Sequence, residues 1–305
     1  MIVEPNWQLA RKRKTIEQRA RILHKIRAFF TEQGFFEVET PARIPVNAPE
    51  LHIDAIASGN WSLQTSPELC MKRLLAAGYD NIFQICHCWR AEEQGPRHLP
   101  EYTMLEWYRR DCDYQQLMHD CEKLINNLVG RKSLTWQGQE VDITMPWPRL
   151  TVKQAFSQHS STSLSQITDE KKFSELMSNE IEPFLPRNKP LFLTDYPTLQ
   201  GSLAQQKADD ADCVERVELY IAGLELANGF TELTDAAEQR RRFEKEEKQR
   251  QAAGKASCPL PEKYLDELET LPNAAGIALG VDRLIMLLCD QPTIDEVVCF
   301  TPEQL

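Results

Sequence analysis

The chain has 305 residues, of which 42% are apolar, so it is long enough to form one large domain or two small ones around a sizeable core. Its formal net charge of −11 argues against broad, non-specific affinity for nucleic acid. No apolar run approaches the ~20 residues of a membrane-spanning helix, and residues 1–10 carry no signal-peptide pattern. Nine cysteines without Cys-x-x-Cys spacing predict reduced thiols and a cytoplasmic location.

The first predicted element is an amphipathic helix over residues 15–33, with Gly34 as its C-terminal stop. We expect a strand over residues 35–40 to follow and to end at Pro41, which cannot continue a ladder. Basic residues cluster around the start of the helix, and we interpret them as a solvated face, with a surface for an RNA or protein partner as the alternative. These residues are Arg11, Lys12, Arg13, Lys14, Arg19 and Arg21.

A second helix is predicted after short strands over residues 51–63. Ser66 is its expected N-cap, and Pro67 suits the first helical position, where a missing N–H is harmless. Glu68 then lies in the first turn, where the helix dipole favours a carboxylate. Gly78 is the expected end of this helix.

Residues 83–114 contain two β-prone runs around a polar turn with Gly95, Pro96 and Pro100, which predicts an antiparallel hairpin with a long loop. Side chains alternate along a strand, so Arg90 shares a face with the even positions of its arm. The even positions of the second arm are equally polar, and buried charges must be paired or bound to something. The residues of these two faces are Gln84, Cys86, Cys88, Arg90, Tyr102, Met104, Glu106 and Tyr108.

The middle of the chain predicts a helix over residues 114–129, stopped by Gly130. A small strand pair should follow over residues 133–147. Residues 157–165 are rich in Ser and Thr and indicate a surface loop, and residues 190–194 are typical of a short apolar strand.

The last part of the chain predicts a long strand over residues 214–226, with a turn or bulge at residues 228–229. The charged residues 236–253 predict a solvated helix without chemistry. Small apolar residues over 276–280 suit a buried strand with close backbone approaches. A helix should follow, with Arg283 at the corner between strand and helix.

Mostly antiparallel strands with helices set among them predict an α+β fold, a sheet flanked by helices. The polar residues expected on the sheet come from Ser66 to Arg283, so one sheet should use most of the chain. We therefore predict a single domain over residues 1–305.

Several of these polar residues together suit a nucleotide. Two guanidinium groups match phosphate oxygens, carboxylates with phosphates suit Mg²⁺, and an aromatic ring can stack on a purine. The chain has neither a Walker A motif nor Gly-x-Gly-x-x-Gly, so the prediction is a nucleotide site without a glycine-rich loop, and ordinary surface ion pairs are the alternative. The residues are Arg90, Glu92, Tyr102, Glu225, Glu232 and Arg283.

The order of these residues resembles the class II aminoacyl-tRNA synthetases. Residues 35–41 (Phe-Phe-Glu-Val-Glu-Thr-Pro) resemble motif 1, and residues 90–108, from Arg-Ala-Glu-Glu to Glu-Trp-Tyr, resemble motif 2. Residues 276–284 (Gly-Ile-Ala-Leu-Gly-Val-Asp-Arg-Leu) resemble motif 3, and residues 225–232 resemble the acidic segment of the lysyl branch. The resemblance covers nearly the whole chain and implies the catalytic fold of that family.

Within the lysyl branch, the chain is similar to the short paralogues that act on elongation factor P. Its motifs begin too early to leave room for an upstream anticodon-binding domain, which makes tRNA an unlikely substrate. Ser66 stands where the synthetases usually have Ala, and Ala278 stands where they usually have Gly. A hydroxyl or a methyl group reshapes an amino-acid pocket by about 1–3 kcal/mol, enough to favour (R)-β-lysine over lysine or the reverse.

The resemblance implies a role for each matching residue. Arg90 and Arg283 would be catalytic and hold the phosphates of ATP, while Glu225 and Glu232 would bind Mg²⁺. The implied ATP-binding residues are Arg90, Ala91, Glu92, His98, Leu99, Tyr102, Glu225, Leu226, Gly280 and Arg283. The implied lysine-binding residues are Ser66, Pro67, Glu68, Glu106, Tyr108, Glu232 and Ala278.

The implied activity is an ATP-dependent ligation in two steps. A lysine carboxylate forms an aminoacyl-adenylate, and a lysine ε-amino group of elongation factor P then accepts the aminoacyl group. The motif 1 segment implies a homodimer. Two alternatives remain: a lysyl-tRNA synthetase core that acts on tRNA, and a catalytically weakened paralogue with a binding or regulatory role, because Ala91 and Leu99 replace Asn residues of the family.

The Cys86-His87-Cys88 run could suggest a metal site. On a strand, however, the two thiols share one face and His87 points to the other. Since no second ligand pair has suitable spacing, we interpret the three residues as ordinary strand residues.

Overall fold

The computed structural model describes residues 7–305 as an α+β fold. No helix in this part of the chain is both long and apolar enough to cross a membrane. The helices are α1 (Trp7–Glu32), α2 (Glu68–Ala76), α3 (Tyr114–Val129), α4 (Val152–His159), α5 (Glu170–Leu176), α6 (Ala236–Ala252), α7 (Glu262–Leu268) and α8 (Val281–Cys289). The strands are β1 (Phe36–Glu37), β2 (Arg43–Ile44), β3 (Ala57–Ser58), β4 (Trp61–Leu63), β5 (Asn81–Trp89), β6 (Glu101–Arg110), β7 (Ser133–Trp136), β8 (Gln139–Asp142), β9 (Arg149–Thr151), β10 (Leu191–Pro197), β11 (Cys213–Ile221), β12 (Leu224–Thr231) and β13 (Ala274–Gly280).

Eight strands form one mixed sheet in the order β1-β5-β6-β13-β12-β11-β10-β9. The two edge pairs, β1 with β5 and β9 with β10, are parallel, and the inner pairs are antiparallel. This arrangement confirms the predicted, mostly antiparallel sheet flanked by helices. Two small sheets, β2-β4-β3 and β7-β8, lie outside it.

One face of the large sheet is apolar and packs against α1, α3 and α8. Phe83, Trp107 and Leu105 are completely buried there, and the Phe30 ring of α1 stacks on Phe83 with centroids 4.9 Å apart. Burying an aliphatic or aromatic side chain of this size stabilises the fold by about 1.5–3 kcal/mol. This layer is therefore the main core, and it fixes the strands whose other face carries polar side chains.

The opposite face is polar at its centre. The β5–β6 register pairs Gln84 with Glu106 and Cys88 with Tyr102, which confirms that the even positions of both arms share one face. One apolar cluster under α4 and α5 covers the β10 side of this face, and a second, with α2 and α7, covers the β5 side. The polar centre between them lines a cleft.

Three elements predicted from the sequence are confirmed, although two of them differ in extent. Helix α1 begins at Trp7, eight residues before the predicted start, and ends at Glu32, shortly before Gly34 at φ +79°. Helix α3 has the predicted bounds, and its N-cap Asp113 accepts the N–H groups of Gln115 and Gln116. Gly130 ends it in the left-handed conformation that glycine adopts without strain. The predicted strand pair after α3 is β7 with β8.

The predicted single strand over residues 214–226 is wrong. The segment is a hairpin in which β11 and β12 meet at a two-residue loop, with Ala222 at φ +54° and Gly223 at φ +77°. Two positive φ values match the turn that follows the twist of a hairpin. Alanine rarely takes the first of these positions, so the sequence signal for the turn was weak.

The predicted turn or bulge at residues 228–229 is also wrong, because both residues lie inside β12. Gly229 is needed for strand contact instead. A Cβ atom there would lie 2.6 Å from the Cβ atom of Ile277 on β13. Glycine in this strand therefore permits a close backbone approach.

Three boundaries differ from the prediction. The strand expected over residues 35–40 is limited to β1. Helix α2 begins at Glu68, and Ser66 still acts in a cap-like way, since its Oγ accepts the Glu68 N–H at 3.0 Å. The loop expected over residues 157–165 begins after His159, where α4 ends.

Two charged segments are less solvated than predicted. In α6, Arg250 and Phe243 are buried. In α1, Lys12 is 3% exposed, and Arg19 forms an ion pair of 2.5 Å with buried Asp282. The interpretation as solvated faces is therefore wrong at these positions, where long charged side chains connect helices to the rest of the fold.

Candidate active site

A cleft on the polar face of the sheet consists of two joined cavities of about 120 and 580 Å³. We call the smaller one the carboxylate pocket, since Glu50, Glu68 and Glu106 line it. The larger one is the arginine cavity, lined among others by Arg90 and Arg283. The two cavities adjoin, since both are lined by Glu50, Arg90, Met104, Arg216, Asn228 and Ala278.

The arginine cavity brings together two residues that are 193 positions apart in the chain. Arg90 follows β5, and its backbone N–H donates to Pro100 O at 2.9 Å across the hairpin. Arg283 lies in the first turn of α8, and its Nη1 donates to the backbone oxygen of Glu225 at 2.8 Å. Strand ends on one edge of the sheet thus direct both guanidinium groups into the same cavity.

Arg90 retains hydrogen-bonding capacity for an anion. Its buried Nε has no hydrogen-bond partner among the described residues, and its nearest carboxylate, that of Glu93, is 3.7 Å away. The guanidinium lies 5.3 Å from the ring centroid of Tyr102. The Tyr102 hydroxyl donates to Thr65 O at 2.9 Å, which fixes the ring as a wall of the cavity.

The loop between β5 and β6 forms the outer wall of this cavity. Gly95 and His98 exchange backbone hydrogen bonds of 3.0 and 3.1 Å, and the imidazole Nε2 contacts Nη2 of Arg283. Burial and the charge of Arg283 lower the pKa of His98, so the ring is neutral at neutral pH. Arg97 donates to Gly223 O at 3.2 Å and anchors the loop to the β11–β12 turn.

The expected metal pair of Glu225 and Glu232 is wrong as a pair. The two residues are seven positions apart on one extended segment, which separates them by roughly 20 Å. Glu218, on β11, lines the arginine cavity together with Glu225. A bulge at Leu226, where Leu219 pairs with Ala227 but Tyr220 with Glu225, turns the Glu225 side chain toward Glu218.

Glu218 and Glu225 are two carboxylates close enough to affect each other. Burial and the charge of Glu225 raise the pKa of Glu218, although Arg216, at 2.8 Å, opposes this shift. A like-charged pair of oxygen ligands, beside a cavity lined by arginines, suits a hard cation that also binds phosphate. Sequence reasoning missed Glu218 because the hairpin turn was not recognised, although Arg216 and Glu218 alternate with apolar residues.

The carboxylate pocket is centred on Glu106, which is 1% exposed. Its carboxylate accepts hydrogen bonds from Ser66 Oγ at 2.6 Å and from the Tyr108 hydroxyl at 3.0 Å. Burial and the charge of Glu68 raise the pKa of Glu106 to about 8. The pKa of Glu50 is raised to about 7 by burial and, again, by Glu68. Three carboxyl groups and two hydroxyl groups thus converge on a small space that favours a cation.

Glu232 lies beneath this pocket and is fully buried with an ion pair to Lys72 at 2.5 Å. Lys72 also reaches Glu68 at 2.6 Å. Gly276 makes room for this arrangement, since a Cβ atom there would lie 2.1 Å from the Tyr108 ring and 2.6 Å from Oε1 of Glu232. Sequence reasoning missed Lys72, for which helical spacing gives no functional signal.

Most of the residues expected from the resemblance line the cleft, and three do not. Ala91 donates its N–H to Asp54 O at 2.8 Å, and the Pro67 carbonyl accepts the Met71 N–H at 3.0 Å. Glu232 lies below the surface of the pocket. Those that line the cleft are Ser66, Glu68, Arg90, Glu92, His98, Leu99, Tyr102, Glu106, Tyr108, Glu225, Leu226, Ala278, Gly280 and Arg283.

Helix α6 holds one wall of the cleft in place. Nη1 of its buried Arg250 donates to the backbone oxygens of Glu50 and Ile53 at 2.7 and 3.0 Å, and Nη2 pairs with Asp54 at 2.9 Å. Glu50 and Ile53 both line the arginine cavity. The segment was expected to have no chemistry, and its structural role is to position this loop.

The Cys86-His87-Cys88 run has the geometry expected of strand residues. The two sulfur atoms are 3.9 Å apart, whereas the exposed His87 side chain lies on the opposite face and pairs with exposed Glu101 at 3.2 Å. His87 therefore points away from the two thiols.

Comparison with known proteins gives the same family as the motifs. Residues 7–304 match the sequence profile of class II tRNA synthetases (D, K and N). A relative from Edwardsiella ictaluri, named elongation factor P–(R)-beta-lysine ligase, is 36% identical over 332 aligned positions that cover 98% of both chains. A protein of the same name from Salmonella paratyphi B is 36% identical over 331 positions, again with 98% of both chains covered.

The profile match extends over almost the entire chain, and the relatives align with it from end to end. The three motifs fall on β1, on the β5–β6 hairpin and on β13 with α8, around one cleft. The chain belongs to the class II tRNA synthetases of the D, K and N type and is an ATP-dependent ligase.

Proposed function

We propose that this protein activates (R)-β-lysine, or lysine, as an aminoacyl-adenylate and transfers it to a lysine ε-amino group of elongation factor P. The observation that carries this proposal is a cleft in which Arg97 and Arg283 line one end, Glu68 and Glu106 line the other, and Arg90 and Arg216 line both. ATP is an anion and lysine carries two ammonium groups, so the two substrates match opposite ends. The names of the relatives supply the acceptor protein and the β isomer.

ATP binds in the arginine cavity. Arg90 and Arg283 hold phosphate oxygens, for which planar guanidinium groups offer paired donors. Tyr102 stacks on adenine, and the buried Nε of Arg90 gains the partner it lacks. The larger volume of this cavity, about 580 Å³, accommodates a nucleotide.

Mg²⁺ fits the pair Glu218 and Glu225, because carboxylates from adjacent strands line the cavity that takes the phosphates. When bound there, the ion would supply positive charge that offsets the charge of the triphosphate. Magnesium commonly uses one or two carboxylates together with phosphate oxygens and water, and this donor set matches that preference.

The amino acid binds with its ammonium groups toward Glu106 and Glu68. Ser66 and Tyr108 orient the Glu106 carboxylate through its two oxygens. Ala278 pairs with Glu106 on one side and with Asn228 on the other, so its methyl group forms part of the pocket floor. This floor is where a substitution changes the preference between lysine isomers.

The chemistry needs no nucleophilic side chain. A carboxylate oxygen of the amino acid attacks the α-phosphorus of ATP, and the bond to the β-phosphate oxygen breaks to release pyrophosphate. The neutral ε-amino group of the acceptor lysine then attacks the carbonyl carbon, AMP leaves, and the new amide loses a proton. The two arginines accelerate the reaction because they position the phosphates and neutralise their charge.

Three further features belong to the proposal. The protein acts as a single catalytic domain over residues 1–305 and as a homodimer. It works in the cytoplasm, where the acceptor protein occurs. All nine cysteines are free thiols, which suits a reducing compartment.

The test is ATP–pyrophosphate exchange with (R)-β-lysine and α-lysine in parallel, followed by mass measurement of elongation factor P. We expect exchange with a preference for the β isomer and a lysyl-sized mass gain on the acceptor. Exchange with α-lysine and transfer to tRNA instead would identify a synthetase core, and no exchange with either amino acid would contradict the proposal.

A further inference from the structure

Lys72 places an internal ammonium group at the base of the carboxylate pocket. The side chain is 1% exposed, and its Nζ lies 2.6 Å from Glu68 and 2.5 Å from Glu232. It is the sole cation within 4.0 Å of either carboxylate among the described residues. Its Nζ also lies 4.9 Å from the centroid of the Phe230 ring, which closes the site from another side.

The groups around Lys72 come from four parts of the fold. Glu68 lies on the same helix, Glu106 and Tyr108 come from β6, Glu232 follows β12, and Tyr264 comes from α7. Burial alone would discharge the amine, but the charges of Glu232 and Glu68 reverse this effect and raise the pKa of Lys72. The ammonium is therefore a permanent charge.

Three carboxyl groups, those of Glu68, Glu106 and Glu232, surround this single ammonium. Burial and the charges of Glu68 and Glu106 raise the pKa of Glu232 to about 8, although Lys72 opposes this shift. Oε1 of Glu232 has no hydrogen-bond partner among the described residues and faces Gly276, which lines the pocket. A second ammonium bound in the pocket would give these carboxyl groups a further cationic partner.

We propose that Lys72, anchored by buried Glu232, is a specificity-determining positioning residue whose ammonium holds the Glu68 carboxylate where it accepts the terminal ammonium of a diamino acid. This inference rests on the proposed function, because it assumes that the pocket takes the amino acid. Without Lys72, neither carboxyl group would have a cation within 4.0 Å among the described residues, and Glu68 would no longer be held at the base of the pocket. The pocket would then lose part of its preference for an ammonium over a methyl group.

The experiment compares two amino acids in ATP–pyrophosphate exchange. The first is the lysine isomer that the wild type prefers, and the second is its analogue without the terminal amino group, norleucine or 3-aminohexanoic acid. The wild type should prefer the diamino acid strongly in kcat/KM. The preference is measured as the kcat/KM of the diamino acid divided by that of its analogue. In Lys72→Met, this ratio should fall at least about tenfold through a higher KM for the diamino acid, while KM for ATP stays within about twofold.

Arg73→Met is the matched control. Arg73 is the next residue on α2 and also forms an ion pair, with Glu267 at 2.7 Å, but it does not line the cleft. The ratio of the two kcat/KM values in Arg73→Met should equal that of the wild type. If Lys72→Met does not fold, the double variant Lys72→Met/Glu232→Gln removes both buried charges together, and its ratio should fall in the same direction.

An unchanged ratio in either folded variant would overturn the role of Lys72, because a purely structural ion pair would alter stability and not selectivity. A wild type that shows no exchange with any diamino acid would overturn the proposed function instead. The two failures are thus distinguishable.

Discussion

The two ends of the cleft share one sheet face but bind charge in different ways. In the arginine cavity, the Arg90 and Arg283 side chains extend from the ends of strands and are 26% and 21% exposed, and Arg90 has a donor without a partner among the described residues. At the carboxylate pocket, Glu106 and the underlying Glu232 are only 1% exposed, and Glu232 already forms an ion pair with Lys72. The first end is open to a large anion, whereas the second is assembled before any ligand arrives.

This difference predicts how the loss of a charged side chain affects the protein at each end of the cleft. Removing a charge at the open end should weaken substrate binding and the chemical step without affecting folding, because water can replace the lost contact. Removing a charge at the buried end leaves another charge uncompensated, which affects protonation and stability as well. The variants below test this contrast, from the largest expected effect to the smallest.

Arg283→Ala should reduce ATP–pyrophosphate exchange at least about 100-fold, because a preorganised donor to developing phosphate charge typically contributes this much. The thermal unfolding midpoint should stay close to that of the wild type. Arg110→Ala is the control, since Arg110 pairs with exposed Asp80 at 3.1 Å away from the cleft. Near-normal exchange by Arg283→Ala would mean that the triphosphate binds elsewhere.

Glu218→Gln should raise the Mg²⁺ concentration needed for half-maximal exchange about tenfold, because it removes one of two anionic ligands. Glu215→Gln on the same strand should leave that concentration unchanged, since Glu215 does not line the cleft. A titration of exchange rate against Mg²⁺ at fixed ATP checks both variants. Equal curves for the two variants would remove Glu218 from the metal site.

The pH dependence should come from Glu106. Its pKa, about 8, lies above the ordinary value of 4.5, so in the free protein it is protonated at pH 6 and ionised above pH 8. An amino-acid ammonium prefers the carboxylate, so KM for the amino acid should fall by up to about tenfold per pH unit as pH rises from 6 to 8. Glu106→Gln should abolish this slope, and a slope that persists would assign it to another group.

The raised pKa of Glu106 also lowers the stability of the folded protein as pH rises, while amino-acid binding improves. Between pH 4.5 and 8 the folded protein binds more protons at Glu106 than the unfolded chain does, so this contribution to stability is lost as pH rises through 8. Unfolding midpoints measured across this range should therefore fall with pH, and the bound amino acid should reduce the fall.

Ala278→Gly should produce the smallest effect, a change of about 1 kcal/mol or more in the preference between (R)-β-lysine and α-lysine. The methyl group lies on the pocket floor between Glu106 and Asn228. Ala275→Gly, on the same strand but in the apolar core, is the control for lost strand stability. If both variants keep the wild-type preference in exchange assays, Ala278 does not shape the pocket.

In the arginine cavity, Arg90 and Arg283 were more predictable from sequence than Glu218, and the reason is physical. Arg90 follows a strand and Arg283 lies in the first turn of a helix that follows a strand, and the local sequence pattern places both. Glu218 depends on a turn at Ala222 and Gly223 and on a bulge at Leu226, neither of which has a strong local signal.

Lys72 shows the limit of local patterns most clearly. On the helix it is one charged residue among others, and only the fold brings Glu232 to it from a position 160 residues later. Arg250 is similar, because its charged helix was expected to face solvent while its guanidinium in fact holds the loop at Glu50 and Ile53. Long-range pairing of buried charges cannot be deduced from spacing along one element.

The most direct test is a crystal structure with lysine and a non-hydrolysable ATP analogue bound together. We predict phosphate oxygens within hydrogen-bonding distance of Arg90 and Arg283, and the amino-acid ammonium groups at Glu68 and Glu106 in the same cleft. Triphosphate contacts with just one of the two arginines, or an amino acid bound outside the carboxylate pocket, would contradict the account.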